Sequence, residues 1–170
     1  MKRKAMTIII SILLGIAIII IVAGLILPDE RTEKRQTVFD AGPETVYNII
    51  TNNEDYAYRS DLKEIIIVEK KGDFEVWDEV AGNGNTIRFR TTKKVPFSRY
   101  EFDIVEANGF TGHWIGEIKE TGPGQTLFTA TEIIRIKNPV IKVLSYLFFD
   151  IGKFMETYQE DVKRKIESLE

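Results

Sequence analysis

The stretch "TGHWIGE", residues 111–117, holds the chain's single histidine, His113, four residues before Glu117. An imidazole beside a carboxylate is a possible acid–base pair. Two more carboxylates draw notice. Read with a period of two, Glu132 in "TLFTATEIIRI" and Asp78 in "FEVWDEV" fall on the more apolar side of their strands. Two inward carboxylates could share proton-transfer work with raised pKa values. The plainer reading pairs each with an arginine or leaves it in water at a strand end. Arg59, in "YRSD", could orient a ligand's carboxylate at a cavity mouth or serve as a solvated turn residue. The chain has no cysteine, which removes disulfides, thiolate metal sites and cysteine nucleophiles. One histidine without cysteine also lacks the usual zinc ligand set. No catalytic residue, metal ligand or cofactor is therefore assigned.

Side-chain direction decides among these readings. Along residues 110–119, Phe110, Trp114 and Ile118 share one side with Gly112 and Gly116. Thr111, His113, Ile115, Glu117 and Lys119 share the other. Successive strand residues alternate sides, so the aromatic set marks the core and His113 is expected on the outer face. Glu117 is then a cross-strand charge partner, and Trp114 is the better wall for a pocket. Neighbouring segments agree. Ile87 and Phe89 face in against Arg88 and Arg90, and Tyr100, Phe102 and Ile104 face in against Glu101 and Asp103. "EIIIVEK" is apolar on both sides, and a bulge would reverse the inward direction expected for Glu132 or Asp78.

These segments belong to a longer pattern. From Leu62 to Lys137, six period-two runs are separated by the turn-like stretches "KGD", "AGNG", "VPFS", "ANG" and "GPGQ". Short connections imply antiparallel neighbours. Before them, "QTVFDAGPETVYNIITNN" reads as a short strand and a helix opened by Pro43 and Glu44, and "EDYAYRSD" as a second helical turn. After them, Asn138 and Pro139 open a helix whose apolar stripe runs from Val140 to Ile166, expected as one element of about 30 residues, or about 45 Å. A sheet with one apolar face needs a cover, which this helix supplies.

The N-terminus has a different character. Thr7 to Leu27 is a run of 21 residues without a charge, about 30 Å as a helix and long enough to cross a bilayer's hydrocarbon core. Lys2, Arg3 and Lys4 precede it, so the N-terminus is expected in the cytoplasm and the remainder outside. A cleaved signal peptide is the competing reading, with Val22-Ala23-Gly24 as a cleavage site. The expected organisation is a cytoplasmic tail (1–6), a transmembrane anchor (7–27), a polar linker (28–36) and one domain (37–170), the protein being a single-pass plasma-membrane protein with its domain extracytoplasmic. After residue 28 lie all 26 acidic and 20 of the 23 basic residues, a net charge of −6. A net-acidic domain without a basic run is a poor fit to nucleic acid or anionic headgroups.

The element order, with "VFDAGPETVYNIITN", "YRSDLKEI", "GFTGHWIGEI" and "TLFTATEI", resembles the START-like (SRPBCC, helix-grip) superfamily, closest to its bacterial polyketide cyclase/dehydrase-like branch. Tyr58 stands where that branch often has tryptophan. The resemblance spans about residues 35–168. It implies an α+β fold in which a curved antiparallel sheet of about seven strands wraps a long C-terminal helix. It also implies a cavity between them for apolar or amphipathic small molecules such as a lipid, a quinone or a polyketide-like compound. No invariant catalytic residue comes with the fold. The expected ligand-binding residues are Tyr58, Arg59, Phe89, Phe102, Trp114, Phe128, Glu132, Phe148 and Ile151, with no catalysis. Two alternatives stay open: a cyclase- or hydrolase-like enzyme using cavity carboxylates, and a cell-envelope interaction module with a vestigial cavity and an exposed apolar patch.

Overall fold

The uncharged N-terminal run forms helix α1 (Lys2–Ile26). The structure, a computed structural model, describes residues 2–107 and 109–169. Within α1, Lys4–Ile26 is long and apolar enough to cross a membrane, with a mean hydropathy of 3.2, and it stands almost wholly exposed. The chain then passes directly into strand β1 (Glu30–Phe39). Most of the expected polar linker, 28–36, is thus strand. Its alternation is hidden because the residues turned toward the helices are Arg31, Glu33, Arg35 and Thr37, which are polar yet half-buried. They are held by side-chain bonds. Thr37 Oγ1 donates to Gln159 Oε1 at 2.6 Å, Arg35 Nε to Glu156 Oε1 at 2.9 Å, and Arg31 Nη1 to the Ser145 carbonyl at 2.9 Å. Charged side chains also suit an edge strand, where they oppose pairing with another chain.

Helix α2 (Pro43–Thr51) starts at its proline, carries Glu44 in its first turn and buries Val46, Tyr47, Ile49 and Ile50. The second helical turn expected at "EDYAYRSD" does not form. Residues 52–61 run as a series of turns, with the Arg59 N–H donating to the Tyr56 carbonyl at 2.9 Å.

The six strands of the meander are β2 (Leu62–Lys71), β3 (Phe74–Ala81), β4 (Thr86–Val95), β5 (Arg99–Glu106), β6 (Thr111–Gly122) and β7 (Gln125–Arg135). With β1 they form one seven-stranded sheet in the order β1-β7-β6-β5-β4-β3-β2, every neighbour antiparallel. Gly72 and Gly124, at φ of 59° and 69°, make the tight turns after β2 and β6 in a region that L side chains avoid. The expected inward set is buried on β4 to β7, including Phe89, Tyr100, Ile104, Trp114 and Ile118. Strand β3 runs opposite to expectation. Trp77 and Glu75 are buried, while Asp78 turns to the outer side and meets Arg88 there at 2.7 and 2.8 Å. One tryptophan outweighs the smaller Val76 and Val80 in setting which side is dry.

The C-terminal helix is two helices, α3 (Pro139–Phe148) and α4 (Ile151–Glu167). Phe149 and Asp150 are extended between them, and the Asp150 side chain caps α4 by accepting from the Lys153 N–H. The step from Phe148 to Ile151 preserves a helical stripe, so periodicity alone runs across the break. The cap residue at Asp150 is its sequence signal. Helix α4 buries Ile151, Met155, Val162 and Ile166 against the sheet and α2. Burying such side chains contributes roughly 1.5–3 kcal/mol each.

Candidate functional site

The concave side of the sheet does not close onto the C-terminal helices. A cavity of about 420 Å³ remains between them, within the range of small-molecule sites. Its wall is aromatic. Phe102 and Trp114 stack at 4.8 Å between ring centroids, Trp77 and Phe89 at 5.4 Å, and Phe102 packs edge-on against both Trp77 and Phe89. Gly116 makes room for this arrangement. A Cβ there would lie 2.5 Å from the Trp114 ring.

Polar groups enter the cavity from the loop after α2, from β3, from β7 and from α4. The loop after α2 brings Tyr58 and Arg59. It is fastened to α4 by Asp161, fully buried, which accepts from the Ser60 N–H at 2.8 Å and the Ser60 hydroxyl at 3.0 Å and pairs with Arg164. Arg59 lies over the Tyr158 ring at 4.7 Å and bonds both Asp61 oxygens, at 3.2 and 3.1 Å, with Glu79 at 3.5 Å. Burial opposes its charge, but Glu79 and Asp61 outweigh burial and hold Arg59 protonated. Burial pushes the Tyr58 hydroxyl up to about 12, and Tyr158 well above its ordinary value. Both phenols therefore stay neutral donors at any physiological pH.

Glu132 comes from β7, directly across from Trp114 on β6. It is 7% exposed, and among the described residues it has no hydrogen-bond or ion-pair partner. Burial, then the neighbouring charge of Glu79, pushes its pKa up to about 8. A carboxyl in such a place holds its proton at neutral pH because nothing repays the desolvation of the anion. It can donate a hydrogen bond to an acceptor in the cavity, or a proton to one basic enough to take it.

Seven of the nine sequence-predicted residues line this cavity: Tyr58, Arg59, Phe89, Phe102, Trp114, Glu132 and Ile151. Two do not. Phe128 is fully buried behind the wall, stacked on Phe39 at 5.7 Å. Phe148 is 79% exposed at the C-terminal end of α3, and its neighbour Phe149 reaches the cavity instead. The break after α3 rotates the following residues, so a continuous-helix reading places the wrong phenylalanine. The expected inward Asp78 is replaced by Glu79, which accepts from Trp77 Nε1 at 3.2 Å and faces Arg59. On the outer face, the Arg88 hydrogen bond holds the Asp78 carboxyl below its usual range. Tyr158 and Glu79 escaped the sequence reading. Tyr158 had a legible signal, a place on the apolar stripe of α4, whereas Glu79 depended on the side that β3 turns inward.

His113 is on the outer face, as its alternation implies. Its Nδ1 lies 2.7 Å from Asp103 and its Nε2 3.2 Å from Glu101. Glu117 pairs with Arg99 at 2.9 Å rather than with the imidazole. Among the described residues no group of His, Asp or Glu has the arrangement of a metal site.

No family model matches the chain, and no curated protein matches it. Solved structures do. A START superfamily protein from Mycobacterium smegmatis is 17% identical, with a TM-score of 0.66 over 82% of this chain and 99% of that one. The Zhui aromatase/cyclase from Streptomyces is 13% identical, with a TM-score of 0.65 over 81% and 94%. Norcoclaurine synthase from Thalictrum flavum, in complex with dopamine and hydroxybenzaldehyde, is 7% identical, with a TM-score of 0.67 over 88% and 92%. At these identities the likeness concerns the fold. With its curved seven-stranded sheet closed over by a C-terminal helix, and one apolar helix ahead of it, the chain has the START-like, helix-grip fold.

Proposed function

We propose that the chain is a membrane-anchored, non-catalytic binding domain for an apolar or amphipathic small molecule, held in the cavity between sheet and C-terminal helices. The observation that carries this reading is an open, aromatic-walled cavity with Glu132 buried inside it and, among the described residues, without a partner. An apolar pocket with a few placed polar groups is the usual form of a small-molecule site. Glu132 favours a ligand that offers a hydrogen-bond acceptor such as a carbonyl, which fits a quinone, a polyketide-like compound or a lipid ester. Tyr58 and Arg59 are the polar groups nearest the loop side.

The anchor is α1, and Lys2, Arg3 and Lys4 ahead of it favour a cytoplasmic N-terminus and an extracytoplasmic domain at the plasma membrane. Retention of α1 is supported by its contact with the domain. Gly24 meets the Pro139 backbone so closely that a Cβ would overlap it, and Lys142 Nζ donates to the Leu27 carbonyl at 3.0 Å. Cleavage at residues 22–24 would remove the helix that packs on Pro139 and leave only the Leu27 bond.

The cyclase- or hydrolase-like alternative draws on the same Glu132, because a carboxyl with a pKa near 8 is poised as a general acid. The two readings part on Glu132→Gln, which keeps a hydrogen-bond donor for binding and removes the transferable proton. An unfilled cavity weighs against the interaction-module alternative.

Both tryptophans of the chain, Trp77 and Trp114, line the cavity, so intrinsic fluorescence reads its occupancy. Titration of the full chain in detergent with quinones, neutral lipids and aromatic polyketides is expected to give a saturable change with at least one class. Ala130→Phe, checked for cooperative thermal unfolding, is expected to abolish it. No saturable change with any class, or a change that survives Ala130→Phe, contradicts the reading.

A further inference from the structure

Helix α3 is apolar on two sides, and only one of them faces the cavity. Ile141, Leu144 and Ser145 line the cavity. Val140 and Leu147 lie roughly a quarter turn round the helix from these, Phe148 ends the helix, and Leu147 and Phe148 are 68% and 79% exposed. The one charged residue of α3, Lys142, is buried at 3% exposure, so the outer side of the helix has no charge at all. Soluble surfaces rarely leave such a patch uncovered.

The position of α3 says what covers it. The helix is tied at both ends to the last turn of α1 and the few residues that follow it. At its start, Gly24 packs on Pro139, and Lys142 bonds the Leu27 carbonyl and pairs with Asp29. At its end, Arg31 donates to the carbonyls of Ser145 at 2.9 Å and Phe149 at 3.3 Å, with its guanidinium 4.4 Å over the Tyr146 ring. Leu27 to Arg31 spans about 13 Å of extended chain, and ten helical residues span about 15 Å. Helix α3 therefore lies alongside the exit of α1, where Leu25 and Ile26 are exposed as well.

We propose that α3 lies in the bilayer interface beside the emerging anchor, with Leu147 and Phe148 among the lipid tails while Ile141, Leu144 and Ser145 form a wall of the cavity. The partner surface is lipid. One short helix then separates the acyl region from the cavity, and a membrane-soluble ligand passes between them without crossing water. Interfacial helices sit about 5–10 Å into the headgroup boundary, which matches attachment at the last turn of the anchor. This rests on the reading of α1 as a membrane anchor.

The chain's lack of cysteine makes the test direct. Three full-length single-site variants, Phe148→Cys, Leu25→Cys and Lys119→Cys, each carry a small fluorophore in phosphatidylcholine vesicles with and without acyl-chain bromination. Lys119 is exposed on the outer face of β6. The expected result is emission reduced by roughly half for probes at 148 and 25, as for groups at acyl depth, and unchanged at 119. Quenching at 25 but not at 148 overturns the proposal and leaves the anchor standing. A probe at 148 that is shielded from water yet unquenched by brominated lipid also overturns it, showing a second copy or a protein on that side. Absence of quenching at both 25 and 148 overturns the proposal together with the anchor.

Discussion

The two sides of the sheet carry the same kinds of residue and put them to different ends. On the outer side, four carboxylates of β3, β5 and β6 have partners. Asp78 meets Arg88, Glu117 meets Arg99, and Asp103 and Glu101 flank His113. On the inner side, Glu79 is held by Arg59 and Trp77, and Glu132, among the described residues, has the repelling charge of Glu79 and no partner. Residue type therefore says little about chemistry in this molecule. Partners and water decide it. The outer histidine, the conspicuous catalytic candidate in the sequence, sits in a solvent-side cluster of charged groups, while burial leaves a glutamate among apolar residues protonated at neutral pH.

Substitutions can break this contrast in order of expected size. The largest effect belongs to the packing that supports the inner side. Phe128→Ala leaves a void behind the cavity wall and is expected to cost about 3–5 kcal/mol in chemical denaturation. A loss below about 1 kcal/mol would show that the wall is loosely packed.

Glu132→Gln comes next, and its sign depends on pH. The folded carboxyl has a pKa raised to about 8, so between about pH 4.5 and 8 the folded state holds a proton that the unfolded state has released. Stability therefore falls as pH rises through that window. The variant lacks this loss. It is expected to match the parent near pH 4 and to exceed it by up to about 5 kcal/mol at pH 9. Parallel stability–pH curves would refute a neutral Glu132. By the same logic, affinity for an acceptor-bearing ligand is expected to weaken as pH rises past about 8.

On the outer side the effects shrink. Asp78→Asn breaks a partly exposed ion pair and is expected to cost about 1 kcal/mol near neutral pH. Because the folded Asp78 carboxyl titrates below its usual range, the difference is present at neutral pH and fades as pH falls through that lowered pKa. The smallest effect is His113→Gln, expected to change stability by about 0.5 kcal/mol and to leave ligand titrations unchanged. A large loss of binding in this variant would erase the distinction between the sides.

Much of the inner side was legible because alternation is a strong code where large apolar residues occupy one parity. Trp114, Phe102 and Phe89 declared the dry side of β4 to β6, and Glu132 followed from its place among Phe128, Ala130 and Ile134. The code failed where size and number disagree, as in β3, where Trp77 alone set the inward side and brought Glu79 with it. It failed again in β1, whose inward residues are polar and are buried by bonds to α3 and α4. No local pattern records such long-range partners. The break between α3 and α4 was masked by a three-residue step that keeps the stripe in phase, although Asp150 marked it as a cap.

Native mass spectrometry of the full chain, released from detergent micelles, tests the central claim most directly. The account predicts a stoichiometric bound mass of an apolar or amphipathic compound with a hydrogen-bond acceptor, absent from Ala130→Phe and depleted at pH 9. A chain that flies empty from every preparation, or one whose bound mass persists when the cavity is filled, would contradict it.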